Sequence, residues 1–204
     1  MLTTNNLINH QRRIGLTGGI ASGKSTIANY ISSMKKITIL DADIYSRKLI
    51  QSGTKPYSKL IAYFGETIIE KNSRTREINR NLLKKIIFNN HDKRIWLENL
   101  LHPLIREEII YACSKKSKDK ILLLVIPLLF EANFIDLCTE IWLVKCSKQT
   151  QIKRLIERDK INEYEAKKII DLQISFKDKE KKSDFILDNE SDQNQWKKKV
   201  NELI

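Results

Sequence analysis

Apolar residues in this chain follow two habits, short consecutive runs and longer stretches at helical spacing, and the order of the two predicts the fold. Arg13-Ile14-Gly15-Leu16-Thr17 reads as a short buried strand. Ile27, Ala28, Tyr30, Ile31 and Met34 then give one helical face, with no Pro or Gly from Ser25 to Lys36. Ile37-Thr38-Ile39-Leu40 is a second strand, and Ile44, Leu49 and Ile50 open another helix. From Tyr57 to Phe64 and from Leu82 to Tyr111 the period is helical again, while the polar stretch Lys71 to Arg80, rich in Asn, Ser and Thr, predicts a loop. That block is too long for a plain crossover helix and predicts a helical insertion beside a sheet. Ile121 to Ile126 is apolar at every position, as a central parallel strand covered on both faces would be, and Pro127 ends it. Glu140 to Val144 and Phe185 to Leu187 repeat the theme more weakly, with a charged helical region, Thr150 to Lys182, between them. The expected class is α/β, a parallel five-stranded sheet flanked by helices.

The candidate chemistry lies where strands end. Gly18 to Thr26 (GGIASGKST) fits G-x-x-x-x-G-K-[ST], between the strand and the helix that this pattern requires. In such a loop the glycines let the backbone wrap a phosphate chain, and the helix N-terminus adds partial positive charge. Lys24 would reach the β and γ phosphates and the Ser25 hydroxyl would ligand Mg²⁺. Of six glycines, those at 15, 18, 19 and 23 lie in or beside this loop. Asp41 and Asp43 close the second strand at the edge where ligands sit in open parallel sheets. Their spacing of two would aim both side chains the same way if the strand persisted, yet paired acids there serve equally well to cap the next helix. Further on, Ile152, Leu155 and Ile156 form one stripe, with Arg154 and Arg158 together on the opposite side. That pair is either a solvated face or part of a mobile basic helix that closes over nucleotide phosphates.

Composition narrows the classes. A length of 204 residues suits one α/β domain with elaborations. The formal charge of +12 attracts polyanions, but the lysines are spread among acids with no basic arm and no interleaved aromatics, so no specific nucleic-acid partner is expected. Cys113, Cys138 and Cys146 are widely spaced and form no C-x-x-C pair, which points to buried thiols in a reducing compartment. No secretory signal and no run long enough to span a bilayer is visible, so a cytoplasmic protein without a membrane partner is expected.

Several segments together resemble the dephospho-CoA kinase family: the loop from Gly15 to Thr26, Asp41-Ala42-Asp43 with Arg47, Phe64-Gly65, Leu101 to Arg106, Pro127-Leu128-Leu129-Phe130-Glu131, Gln151 with Arg154 and Arg158, Gln173, and Asp188-Asn189. They run in the family's order from Ile14 to Asn189. The resemblance implies a P-loop kinase fold and ATP-dependent phosphorylation of the ribose 3′-hydroxyl of dephospho-CoA, with Mg²⁺ accompanying ATP. It implies one domain over 1–204, with a nucleotide core at 12–56, 119–146 and 184–204, a helical CoA-accepting insertion at 57–118 and a lid at 147–183. ATP would contact Gly18, Ala21, Ser22, Gly23, Lys24, Ser25 and Thr26. Asp43 looks like the acid that accepts the hydroxyl proton, Asp41 like a Mg²⁺ or water ligand beside Ser25, and Arg154 and Arg158 like lid groups that neutralise the transferring phosphoryl. Arg47, Arg80, His102 and Arg106 are candidate acceptor-binding residues, although His102 before Pro103 in a helical region also reads as structural. Ala21 stands where the family often has Gly, Arg74 to Arg80 lacks the family's Gly, and Glu190 replaces a Gly that commonly follows Asp-Asn. A monomer is expected. Other readings are a different small-molecule or nucleotide kinase on the same core, or a basic nucleic-acid-binding P-loop ATPase, which would show polynucleotide-stimulated hydrolysis.

Overall fold

Each of the five apolar runs becomes a strand of one parallel sheet in a computed structural model that describes residues 11–34, 37–71, 74–190 and 192–204. The strands are β1 (Arg12–Gly18), β2 (Thr38–Asp41), β3 (Ile121–Val125), β4 (Glu140–Lys145) and β5 (Phe185–Asp188), in the order β2-β3-β1-β4-β5. The chain leaves central β1 first for β2 on one side and later crosses to β4 on the other. The carboxyl end of β1 therefore lies where the connections diverge, the crevice such sheets use for ligands.

Alternation along the strands sends residues to two covered faces. Ile14, Leu16, Leu123, Val125, Trp142 and Val144 pack with Ile27 and Ile31 of α1 (Lys24–Met34) and with Trp196 and Val200 of α9 (Gln193–Leu203). Leu122 and Leu124, on the other face of β3, are also fully buried, as the unbroken apolar run requires. Trp142 and Trp196 are among the largest buried side chains, and truncating either to Ala would cost about 3–5 kcal/mol.

Two points that the spacing leaves open are resolved. Strand β2 runs through Asp41 and passes with no spacer into α2 (Ala42–Leu49), so Asp41 ends a strand while Asp43 lies in the first turn of a helix. The shared orientation expected of a continued strand is lost, and the Asp43 carboxylate instead complements a helix N-terminus. The helical stretch Leu82 to Tyr111 is two helices, α4 (Arg80–Asn89) and α5 (His91–Lys115). Asn90 makes the break: its backbone is extended, and its side-chain oxygen accepts from Lys93 N at 2.9 Å. Ahead of α4, α3 (Lys55–Phe64) is capped by Thr54, and Ile69 pairs antiparallel with Ile78 across the polar stretch.

Residues Ala42–Ile109 form one compact unit and the sheet with the remaining helices forms the other. The boundary falls at α2, ahead of position 57, and inside α5, ahead of 118. The charged region after β4 resolves into α6 (Lys148–Asp159), α7 (Glu163–Asp171) and α8 (Phe176–Glu180). Among the described residues no helix is long and apolar enough to cross a membrane.

Candidate active site

The loop between β1 and α1 is held by its carbonyls. Lys24 Nζ donates to the carbonyl oxygens of Gly18 and Gly19, each at 2.9 Å. Gln151 Nε2 donates to that of Ile20 at 2.7 Å. Arg154 Nη1 reaches those of Ala21 and Ser22 at 3.5 and 3.3 Å, and Asn189 Nδ2 donates to Ser22 at 2.8 Å. Every carbonyl from Gly18 to Ser22 is thus engaged, the last three by side chains of α6 and of the residue after β5. Because a trans peptide points its N–H opposite to its C=O, the amides of Ala21 and Gly23 face away from those side chains, free to meet an anion. The conformation needs this support. Ala21 has a φ of 58°, left-handed backbone that a residue with a Cβ adopts at a cost of about 1–2 kcal/mol.

The loop glycines have a second cause besides ligand approach. A Cβ on Gly19 would overlap Gln151 Nε2, and one on Gly23 would overlap Asn189 Nδ2. Asn189 is itself fixed: its N–H donates to Lys145 O at 2.8 Å, its carbonyl accepts from Arg154 Nη2 at 3.0 Å, and it is buried.

The segments that grip the loop are anchored in turn. Gln173, just beyond α7, accepts from Ile20 N through Oε1 at 2.6 Å. The adjoining Ile174 N–H donates to Glu131 Oε1 at 3.2 Å, and that carboxylate lies 2.8 Å from the ammonium of Lys179, a lysine only 2% exposed. Glu190 holds the start of α6, accepting from Ser147 N at 2.5 Å, from Ser147 Oγ at 2.8 Å and from Thr150 Oγ1 at 2.6 Å. The Thr150 hydroxyl, then the Ser147 backbone and hydroxyl, hold the Glu190 carboxyl below its ordinary range. A cavity of about 380 Å³ lies between the loop and these helices, bounded by Gly19, Ser22, Cys146, Gln151, Gln173 and Phe176. Burial pushes the Cys146 thiol up to about 11, so it lines that cavity as a neutral group and not as a nucleophile.

The expected site residues divide between the two units. With the sheet lie the loop from Gly18 to Gly23, Lys24, Ser25 and Thr26 in the first turn of α1, and Asp41, which is level with Val125 of β3 at the carboxyl edge. Ser25 and Asp41 are hard oxygen donors, and among the described residues no cluster of three or more His, Cys, Asp or Glu forms a protein-only metal cage. That donor set fits Mg²⁺, which takes one or two protein oxygens and completes its shell with phosphate and water. Arg154 faces the loop, whereas Arg158 is exposed and pairs with Asp159 at 2.7 Å, so the two arginines do not share one solvent-facing task. In the unit Ala42–Ile109, Asp43 and Arg47 stand four residues apart on α2, and His102 and Arg106 four apart on α5, each pair on one helix face. Arg80 is the first residue of α4. Roles for Gln151, Gln173, Asn189, Glu131 and Glu190 were not foreseen from the sequence. The only signal for the first four was their place in the family resemblance.

The comparisons agree with one another. The family model described as dephospho-CoA kinase (CoaE) matches residues 12–195. A protein named dephospho-CoA kinase from Prochlorococcus marinus subsp. pastoris is 59% identical over 198 residues, covering 97% of each chain. The solved dephospho-CoA kinase from Campylobacter jejuni superposes with a TM-score of 0.67 at 28% identity, covering 94% of each chain. A shikimate kinase from Bacteroides thetaiotaomicron, 13% identical with a TM-score of 0.52 and covering 94% of this chain and 96% of its own, shares the fold alone.

Proposed function

The chain belongs to the dephospho-CoA kinase family, and from that premise we propose that it transfers the γ-phosphoryl of ATP to the ribose 3′-hydroxyl of dephospho-CoA, giving coenzyme A. The observation that carries the reading on this chain's own residues is the anchored loop, whose carbonyls from Gly18 to Ser22 are all engaged while the Ala21 and Gly23 amides are turned the other way. ATP phosphates lie against those amides, and the Lys24 ammonium exchanges two glycine carbonyls for β- and γ-phosphate oxygens. Ser25 and Asp41, together with the phosphates, would hold Mg²⁺, which would offset negative charge on the triphosphate. Asp43 orients the acceptor hydroxyl. As the 3′-oxygen bonds to the γ-phosphorus, the bond from that phosphorus to the bridging oxygen breaks, ADP leaves, and Asp43 takes the hydroxyl proton late in the step. Arg158 neutralises the phosphoryl in transfer, and Arg154 steadies the loop that holds the rest. Arg47, Arg80, His102 and Arg106, all carried by the unit Ala42–Ile109, serve the acceptor. Three free thiols suit a cytoplasmic setting.

The test is direct. Pure protein incubated with ATP, Mg²⁺ and dephospho-CoA should yield a product heavier by one phosphoryl group, and ATP consumption should wait for the acceptor. Hydrolysis that ignores dephospho-CoA but rises with added RNA would overturn the assignment.

A further inference from the structure

The strongest feature that the reaction does not already account for is the backbone of Ile20. It is bracketed by two glutamine side chains from different ends of the α6–α7 segment. Gln151, on α6, donates Nε2–H to the Ile20 carbonyl at 2.7 Å, and Gln173, just past α7, accepts the Ile20 N–H at 2.6 Å. They are 131 and 153 residues from Ile20 in sequence. Gly19 lacks the Cβ that would displace Gln151. The next residue is Ala21, whose left-handed backbone persists only where its neighbours fix it. Beyond Ala21, the Ser22 carbonyl accepts from Asn189 Nδ2 at 2.8 Å, and Arg154 Nη2 holds Asn189 through its carbonyl at 3.0 Å. The strained residue is therefore fixed on one side by the glutamines of the α6–α7 segment and on the other by the Asn189–Arg154 pair.

We propose that Gln151 and Gln173 are positioning residues for nucleotide binding, a directional bracket through which the α6–α7 segment sets the conformation of the phosphate loop. The proposal rests on the kinase reading above for the identity of the nucleotide. The bracket acts before any chemistry. If either helix shifts, one of the two peptides flanking Ile20 loses its partner, Ala21 is no longer over-determined, and its amide leaves the orientation that meets a phosphate. Gln173 is tied through its neighbour Ile174 to Glu131 and buried Lys179, so the accepting half sits on a fixed support. Gln151 lies one turn into α6, whose first turn is held by Glu190, so the donating half follows that helix.

The polarity of the bracket supplies its test. Gln173 needs an acceptor, which Glu also offers; Gln151 needs a donor, which Glu lacks. Gln173→Glu and Gln151→Glu add the same charge on the same side of the loop, so simple repulsion of ATP would weaken both equally. The bracket requires that Kd for MgATP, measured by isothermal titration without acceptor, rise at least about tenfold more for Q151E than for Q173E, the range expected when a carbonyl loses its donor and faces a carboxylate. KM for dephospho-CoA should stay within about twofold of wild type in both. Gln151→Met, similar in length without a donor or a charge, should weaken MgATP binding in the same direction as Q151E, and circular dichroism melting of each variant reports whether it folds. Should Q151E not fold, Q151M against Q173E carries the comparison. Equal losses in the two Glu variants, or wild-type affinity in Q151M, would overturn the bracket. Failure of the wild-type protein to phosphorylate dephospho-CoA while these affinities behave as stated would overturn the kinase reading instead.

Discussion

Replacing Arg154 by Met keeps most of the aliphatic stem and removes the guanidinium, so it measures what that group does for the loop. The contact to Asn189 O, at 3.0 Å, is a full charge-assisted hydrogen bond; those to Ser22 O and Ala21 O, at 3.3 and 3.5 Å, are at the long limit and count for little. Ser22 O keeps Asn189 Nδ2 in the variant. Because Arg154 is only partly buried, the one strong bond enters near the lower end of the charged range, and with the two weak ones the loss is about 2 kcal/mol. The loss divides between two readouts: where the anchored loop stays the dominant native form, a protein of this length melts about 4–8 °C lower, and where it does not, Kd for MgATP rises as the competent fraction falls, by up to about thirtyfold for the whole amount. Isothermal titration with MgATP and thermal melting of Arg154→Met read both. Unchanged nucleotide affinity together with an unchanged melting temperature in a variant with reduced kcat would refute the anchoring argument, because the guanidinium would then act on the phosphoryl alone.

Asp43→Asn should lower kcat by at least about a hundredfold while leaving MgATP affinity intact, as loss of a general base does; near wild-type turnover in a coupled assay would remove Asp43 from that role. Glu190, whose carboxyl is held below its ordinary range, contributes stability present above the unfolded value of 4.5 and lost as pH falls through the lower folded value. Glu190→Gln should therefore melt below wild type at neutral pH and converge with it near the acid end, and parallel curves would deny the cap its charge. Burial raises the thiols of Cys113 and Cys146 to about 11 and of Cys138 to about 12. Between pH 9 and these values the unfolded chain gives up protons that the folded chain keeps, so stability is fully present below pH 9 and falls as pH rises above it. The melting temperature of Cys113→Ala should decline less steeply with pH than that of wild type over this range, and identical slopes would count against a buried neutral thiol there.

What the sequence made legible was local. The phosphate loop announces itself within nine residues because its glycines, lysine and serine must be consecutive for the backbone to curl, and β3 announces itself because a strand covered on both faces has no polar position to spare. The break at Asn90 leaves no such trace. Apolar spacing continues through it, and only a side-chain cap to Lys93 N marks where one helix ends and the next begins. Arg154 was legible only in part for a related reason. Opposite the Leu155 stripe, periodicity leaves it either on a solvated face or on a basic helix over phosphates, and the surface it meets is the polar backbone of the loop, which hydrophobic patterning does not register. The glycines at 19 and 23 were read as making room for a ligand. They also make room for Gln151 and Asn189, and no local pattern can report partners more than a hundred residues away.

The choice of arginine at 154 follows from that geometry. One nitrogen of its fork, Nη1, faces the Ala21 and Ser22 carbonyls while the other, Nη2, donates to Asn189 O, so a single side chain ties the phosphate loop to the end of β5. A lysine brings its charge to one point and cannot span two backbone segments at hydrogen-bonding distance. Nucleotide grip and the position of α6 are for this reason one equilibrium. A displacement of α6 that frees Arg154 also withdraws Gln151 from Ile20, and three successive carbonyls of the loop lose contacts together, with only Ser22 keeping a partner in Asn189. Phosphates that favour the anchored loop must in return favour α6 in its docked position, because a ligand stabilises whichever arrangement binds it better.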